Sequence, residues 1–480
     1  MASENSPLFG TPTDDTGEIQ HEAVYLRFSP TRKKVIVAIV SLAGLIPLFV
    51  SGSFIPSIPQ IALDLDSTGA IISLAVSVSV LTNSIGTLFW ATYSGFYGRR
   101  PVYLCSLFCM CLGSTGVASA RNVPELIAFR VLQAFGTSSG LSVGMGVIGD
   151  IYKLEERGTA SGIFLGSILL GAALAPLAGG VAAHYYSWHL MQAILFAFGF
   201  VMLLVTLFFL PETSHPGARG IDKLIEAGGK PRWVWLNPLE CLALLRSPNI
   251  VLLASAGAFV LLTDYVLLVP LAYTIGVKYN ITNEAIIGAC FIPAGVGNLL
   301  GAPIAGWFSD RQLIKWRKRR GGEWVPEDRL RGLWVGAALC VPISVLLFGF
   351  VTEYIEGRLG IVLDLVCLFI NGLGVDLVLA PISAYNVDIL HSRSAEVMAA
   401  MTAYRGLIVS VGSSTVIPLV QSIGVARTNA ISAVAAWVGY ILIWSVIKYG
   451  GTILSPSTTR CSCGLDFPIQ YPSVHICDVR

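Results

Sequence analysis

Long apolar runs, broken by short polar ones, dominate this chain. A membrane-crossing helix needs about 20 mostly apolar residues. Runs of that kind lie near 35–55, 70–90, 102–119, 124–148, 159–183, 188–210, 248–273, 285–308, 332–352, 359–383, 396–420 and 427–449. The longest internal polar stretch, 211–247, follows the sixth run and begins PETSHPGARGIDKLIEAGGKPR. The pattern therefore predicts an arm at 1–34, a six-helix bundle at 35–210, a linker at 211–247, a second six-helix bundle at 248–450 and a tail at 451–480. The fold class is an all-α membrane protein of two pseudo-symmetric halves.

An internal repeat supports the division. The loop after the second run reads WATYSGFYGRRP (90–101), and the loop after the eighth reads AGWFSDR (305–311). Aligning Ser94 with Ser309 sets Gly95 opposite Asp310. Both loops then follow the second span of a six-span unit, as a duplication requires.

Charge placement orients the chain. With the N-terminus in the cytosol, that side receives Arg27, Arg32, Lys33, Lys34, Arg99, Arg100, Lys153, Arg157, the run RQLIKWRKRR (311–320), Arg329, Arg331, Arg393 and Lys448. The other side receives Arg121, Lys278, Arg358 and Arg427. The positive-inside rule then places both termini in the cytosol. The basic run acts as a topology determinant, not as a nucleic-acid signal.

Composition agrees with the membrane reading. Charged residues are 12% of the chain and hydrophobic ones 54%, against about 25% charged in soluble domains. The ten cysteines form no disulfide framework. Seven sit in or beside apolar runs, and Cys461, Cys463 and Cys477 lie in the tail without the CxxC spacing of a zinc site. No metal and no cofactor is expected. Residues 1–30 lack the apolar core of a signal peptide, and ENSPLF (4–9) is a loose match to an acidic dileucine signal. HExxH and clustered histidines are absent, so an enzyme is not expected.

The chemistry rests on a few charges inside apolar runs, where each needs a cavity or a partner. Arg130 is one, with Gln133 a turn later on nearly the same face; it either lines a cavity or snorkels from its span end. Asp264, Asp364, Asp376 and Arg405 are the others. Asp376 and Asp264 lie deepest and are candidate proton or substrate sites. Arg405 is a partner for Asp376 or a binder of an anionic substrate. Phe54, Tyr265 and Tyr404 are candidates for stacking on an amphiphilic substrate, and tryptophans near span ends form an interfacial belt. In the fifth run Gly171, Pro176, Gly179 and Gly180 allow close helix approach and a bend.

Several motifs, in order, carry a resemblance: GFYGRRP (95–101), RVLQAFG (130–136), GAALAPLAGG (171–180), LPET (210–213), PEDRL (326–330) and YNVDILHSRSAEVMAA (385–400). Over roughly 35–450 the chain resembles the major facilitator superfamily, and within it the twelve-span fungal drug:proton antiporters of the quinidine- and polyamine-resistance type. The resemblance implies loop-motif roles for Gly98, Arg99 and Arg100, with Gly306, Asp310 and Arg311 in the second half. It implies that Arg130 tunes a proton site and that the motif of the fifth span marks antiport. The chain departs from the pattern at Gly95, where the family carries an acid, at Phe96, and at Ala134.

The expected function is proton-driven export of a small organic molecule: a drug, a polyamine, or a secondary metabolite such as an organic acid or glycolipid. The rivals are a proton symporter importing a nutrient or organic anion, and a non-transporting sensor. The sugar-porter PESPR signature is absent after span 6, which argues against the first. The expected partners are the substrate, protons and lipid, with no nucleic acid; a monomer is expected. The plasma membrane is the expected location, with the vacuolar membrane as alternative.

Overall fold

A computed structural model describes residues 25 and 27–453, apart from 153–155, 216, 218, 227, 229–232, 323–324 and 390–393. The motif at 4–9, Lys153, Arg393 and the three tail cysteines lie outside the described residues.

Twelve helices are long and apolar enough to cross a membrane. They are α1 (Pro30–Asp64), α2 (Gly69–Tyr97), α3 (Arg99–Ala118), α4 (Val123–Ile151), α5 (Gly158–Tyr185), α6 (Trp188–Phe209), α7 (Pro248–Gly276), α8 (Glu284–Arg319), α9 (Val335–Tyr354), α10 (Gly357–Ile389), α11 (Glu396–Ile423) and α12 (Val425–Gly450). Most run past the apolar stretches that announce them, because their caps lie in the polar flanks. Ser29, Thr68, Asn122 and Ser187 each accept a backbone N–H of the first turn of α1, α2, α4 and α6. At α4 this is reciprocal. Asn122 accepts from Glu125 N at 2.9 Å, and Glu125 accepts from Arg121 N at 3.1 Å. Such a box satisfies donors that a helix start leaves orphaned.

Both chain ends of the bundle, the linker and the basic loops lie at one end, here called the basic end. One apolar cluster belongs to the first half (Ile36, Val40, Tyr103, Val147, Phe164) and one to the second (Leu253, Val341, Val378, Tyr385, Val446). A third, at the opposite end, is shared. Phe54, Ile58, Ile72 and Trp188 pack there with Leu271, Ile287, Phe291 and Phe348. The halves meet along α2–α11 and α5–α8. Ser77 and Ser413 share a hydrogen bond of 2.9 Å across the first of these contacts. Large apolar side chains such as Phe108, Phe200, Phe208, Val434 and Ile441 are exposed. A surface of that kind suits lipid and not water.

Candidate functional site

The fifth span is a glycine spine. A Cβ on Gly171 would stand 2.8 Å from the Leu45 carbonyl oxygen of α1, and one on Gly179 would strike the Ser53 carbonyl. On the other side, Gly180 abuts the Glu284 carbonyl of α8. A Cβ on Gly288 would stand 2.5 Å from the Pro176 carbonyl. Small residues let three backbones converge, as in other membrane bundles. The contacts of Gly179, Gly180 and Gly288 lie toward the opposite end, and that of Gly171 near mid-span. Nearer the basic end, Cβ atoms on Gly158, Gly162 or Gly166 would meet open space. The halves are thus pressed together at the opposite end, where His184 Nδ1 also lies 2.9 Å from Glu284 Oε2.

Arg130 is 1% exposed and sits inside the first half. Its Nη1 donates to Gln133 Oε1 at 2.9 Å and to the Val50 carbonyl at 3.4 Å, and its guanidinium lies 4.3 Å over the Phe54 ring. Gln133 in turn donates to Ser114 Oγ (2.8 Å) and Gln192 Oε1 (2.9 Å). Phe54 is thereby taken up by Arg130 and by the shared cluster in this conformation. Arg130 faces α1, and its buried Nε and Nη2 have no hydrogen-bond partner.

The second half places its charges differently. Asp264 (α7) and Asp376 (α10) are half-buried on two helices that Asn371 joins by donating to Thr263 Oγ1 at 3.3 Å. Asp376 Oδ2 is buried without a hydrogen-bond partner, and Gly301 of α8 packs against its Cβ. Among the described residues neither makes an ion pair. Arg405 (α11) does not reach them: its side chain lies across Gly257 of α7, where a Cβ would stand 3.2 Å from its Cδ. Beside it, Tyr404 and Ser255 share a hydroxyl bond of 3.0 Å. Tyr265 is half-buried against the shared cluster. Asp364 is fully buried and accepts from Tyr279 (3.0 Å) and Thr352 (3.2 Å), a structural tie near the opposite end.

At the basic end each half carries a charged clasp. Gly98 adopts φ +106°, which a side chain disfavours, and turns the chain so that Glu212 of LPET accepts the backbone N–H groups of Arg99 (2.9 Å) and Arg100 (3.2 Å). Arg99 Nε pairs with Asp150 Oδ2 at 2.9 Å. In the second half Asp310 pairs with Arg329 (2.9 Å), which also pairs with Asp388 (2.8 Å). Arg311 instead lies 5.0 Å over the Trp307 ring, and a Cβ on Gly306 would meet nothing. The clasp residues Arg329, Asp388, Asp150 and Glu212 were not singled out from sequence. PEDRL, LPET and YNVDILHSRSAEVMAA contain Arg329, Glu212 and Asp388 without giving the reason.

Residues 40–413 match the family model described as Major Facilitator Superfamily. The chain belongs to the major facilitator superfamily. Its fold is similar to that of the xylose transporter XylE from E. coli in a partially occluded inward open conformation, with TM-score 0.64, 15% identity, and 87% and 98% of the two chains covered. It is 32% identical to Citrate exporter 1 of Aspergillus niger over 45% of this chain and 41% of that one. So the match spans less than half of that relative. Longer matches are to the MFS antiporter QDR3 of Candida albicans (23% identity, 86% and 77% covered) and the efflux pump radE of Floropilus chiversii (25%, 89% and 82%). Family and fold are those of membrane transporters, which are not enzymes.

Proposed function

We propose that this chain is a proton-coupled exporter of a small organic molecule, working by alternating access between its two halves. The Asp264–Asp376 pair carries the reading. Two carboxylates share one low-dielectric region without a cation, and their repulsion is relieved when a proton binds. A proton entering from outside would neutralise the pair, and its release to the cytosol would reset it. The glycine spine of α5 gives the opposite end a close-fitting seal, and the curated relatives named above are an exporter, an antiporter and an efflux pump. With the basic end in the cytosol, substrate enters from the side where α5 is loosely packed. The protein acts in this reading as a monomer in the plasma membrane.

The test uses purified protein in proteoliposomes holding a pH-sensitive dye, with citrate, spermidine and tetraphenylphosphonium as probes. A gradient of a transported probe should drive protons the other way. Transport of a probe with no proton movement, or with protons moving alongside it, ends the antiport reading.

A further inference from the structure

We propose that Arg405 is the anchor for an anionic group of the transported molecule, so that the substrate class is an organic acid. This deepens, and rests on, the export reading of the region between the halves. Arg405 lies nine residues into α11 from the basic end, a depth of about 13 Å at 1.5 Å per residue. It is half-buried, and among the described residues it makes no ion pair or hydrogen bond. A guanidinium at such depth is costly without a counter-charge. The acids embedded in the spans of the second half, Asp264, Asp364 and Asp376, do not pair with it.

The surroundings hold the side chain in place without neutralising it. Gly257 has no Cβ, so the arginine stem lies flat on α7, and a Leu379 methyl closes on the same spot at 3.2 Å. The Tyr404–Ser255 hydroxyl bond ties α11 to α7 beside it. The contrast with Arg130 sharpens the assignment. Arg130 is enclosed within the first half and covered by Phe54, so a molecule between the halves does not reach it. Arg405 is open. A planar guanidinium takes a carboxylate through two parallel hydrogen bonds, and a substrate acid would complete the missing ion pair. Protons and substrate charge would then bind different side chains.

The experiment measures transport of citrate, malate, benzoate and tetraphenylphosphonium in proteoliposomes by wild type, R405K and R405Q. Thermal stabilisation of each purified protein by the same compounds is the second readout. At least one acid should be transported and should stabilise the wild type. R405Q should lose both effects at least tenfold, R405K should keep part, and the ligand-free melting temperatures should stay within a few degrees. A wild type that neither moves nor is stabilised by any of the acids overturns the proposal. So does R405Q moving an acid as fast as wild type. Proton-coupled transport of tetraphenylphosphonium that ignores R405Q would sink the anion anchor alone. Acid transport that needs Arg405 but moves no protons would sink antiport alone.

Discussion

Arg329 Nε lies 2.8 Å from Asp388 Oδ2, and Arg99 Nε lies 2.9 Å from Asp150 Oδ2. Each pair ties the start of the third span of its half to the end of the fourth. The correspondence continues inward. Ser114 is fifteen residues past Arg99 and Gln133 seventeen before Asp150; Ser344 and Asn371 keep the same spacings from Arg329 and Asp388. Gln133 donates to Ser114 at 2.8 Å, and Asn371 donates to Ser344 at 3.3 Å. The duplication therefore preserves a charged clasp at the basic end and a buried amide–hydroxyl bond beneath it.

If the clasps hold the basic ends of spans three and four together, Asp150→Asn and Asp388→Asn should each weaken the protein. Removing one partner of a mostly buried pair leaves the other unsatisfied, a loss of about 1–3 kcal/mol. Melting temperature should fall in both variants and transport should slow. The two losses should add, because the clasps lie in separate halves. A pair of variants that melts and transports like wild type would show the clasps to be incidental.

The twelve spans and their six-plus-six grouping were legible because bilayer thickness imposes a length on apolar runs. The second clasp was not. Aligning Ser94 with Ser309 is consistent with the structure, since Ser94 Oγ accepts from Arg99 at 2.9 Å and Ser309 Oγ donates to the Arg329 carbonyl at 3.3 Å. The cation itself is displaced by fifteen extra residues, so Arg311 stands beside the motif while Arg329 does the pairing. Nor did sequence tell which face of α4 carries Arg130. That depends on where α1 brings Phe54, a contact between residues far apart in the chain.

The glycine spine predicts a split along a single helix. Gly180→Ala puts a methyl group against the Glu284 carbonyl, and the backbones must part to admit it. Overpacking of this kind costs about 1–3 kcal/mol, and here it falls on contacts that close the opposite end. Cysteines placed near His184 should then label faster from outside. Gly166→Ala meets open space and should change melting temperature little. Equal effects at the two positions would remove the close-packing argument.

Glu327, in the turn Pro326–Gly332 between α8 and α9, gives a pH dependence outside the bilayer. It is 5% exposed, and its Oε1 has no hydrogen-bond partner. Burial raises its pKa above the ordinary 4.5, with the nearby Asp328 charge adding to this and Arg320 and Arg331 opposing it. The folded state therefore binds more protons than the unfolded state above pH 4.5, and stability falls as pH rises from there through the raised value. Glu327→Gln removes the ionisation. The variant should be more stable than wild type at pH 8, with the difference vanishing at pH 4. Melting curves across that range decide it; a difference that grows toward acid pH would reverse the sign.

Asp264 and Asp376 should behave as one unit. They lie on helices joined by the Asn371–Thr263 hydrogen bond, and among the described residues neither makes an ion pair. If the pair carries the proton, Asn at either position removes the repulsion that a proton would relieve. Transport driven by a pH gradient should fall at least tenfold in D264N and D376N. Exchange of labelled for unlabelled substrate should continue, because it needs no net proton movement. The double variant should be little worse than the worse single one, since residues acting as a unit are not additive. Asp364→Asn should leave the coupling intact, because Tyr279 and Thr352 already hold that side chain near the opposite end. Gradient-driven transport surviving in both D264N and D376N would move proton coupling away from this pair.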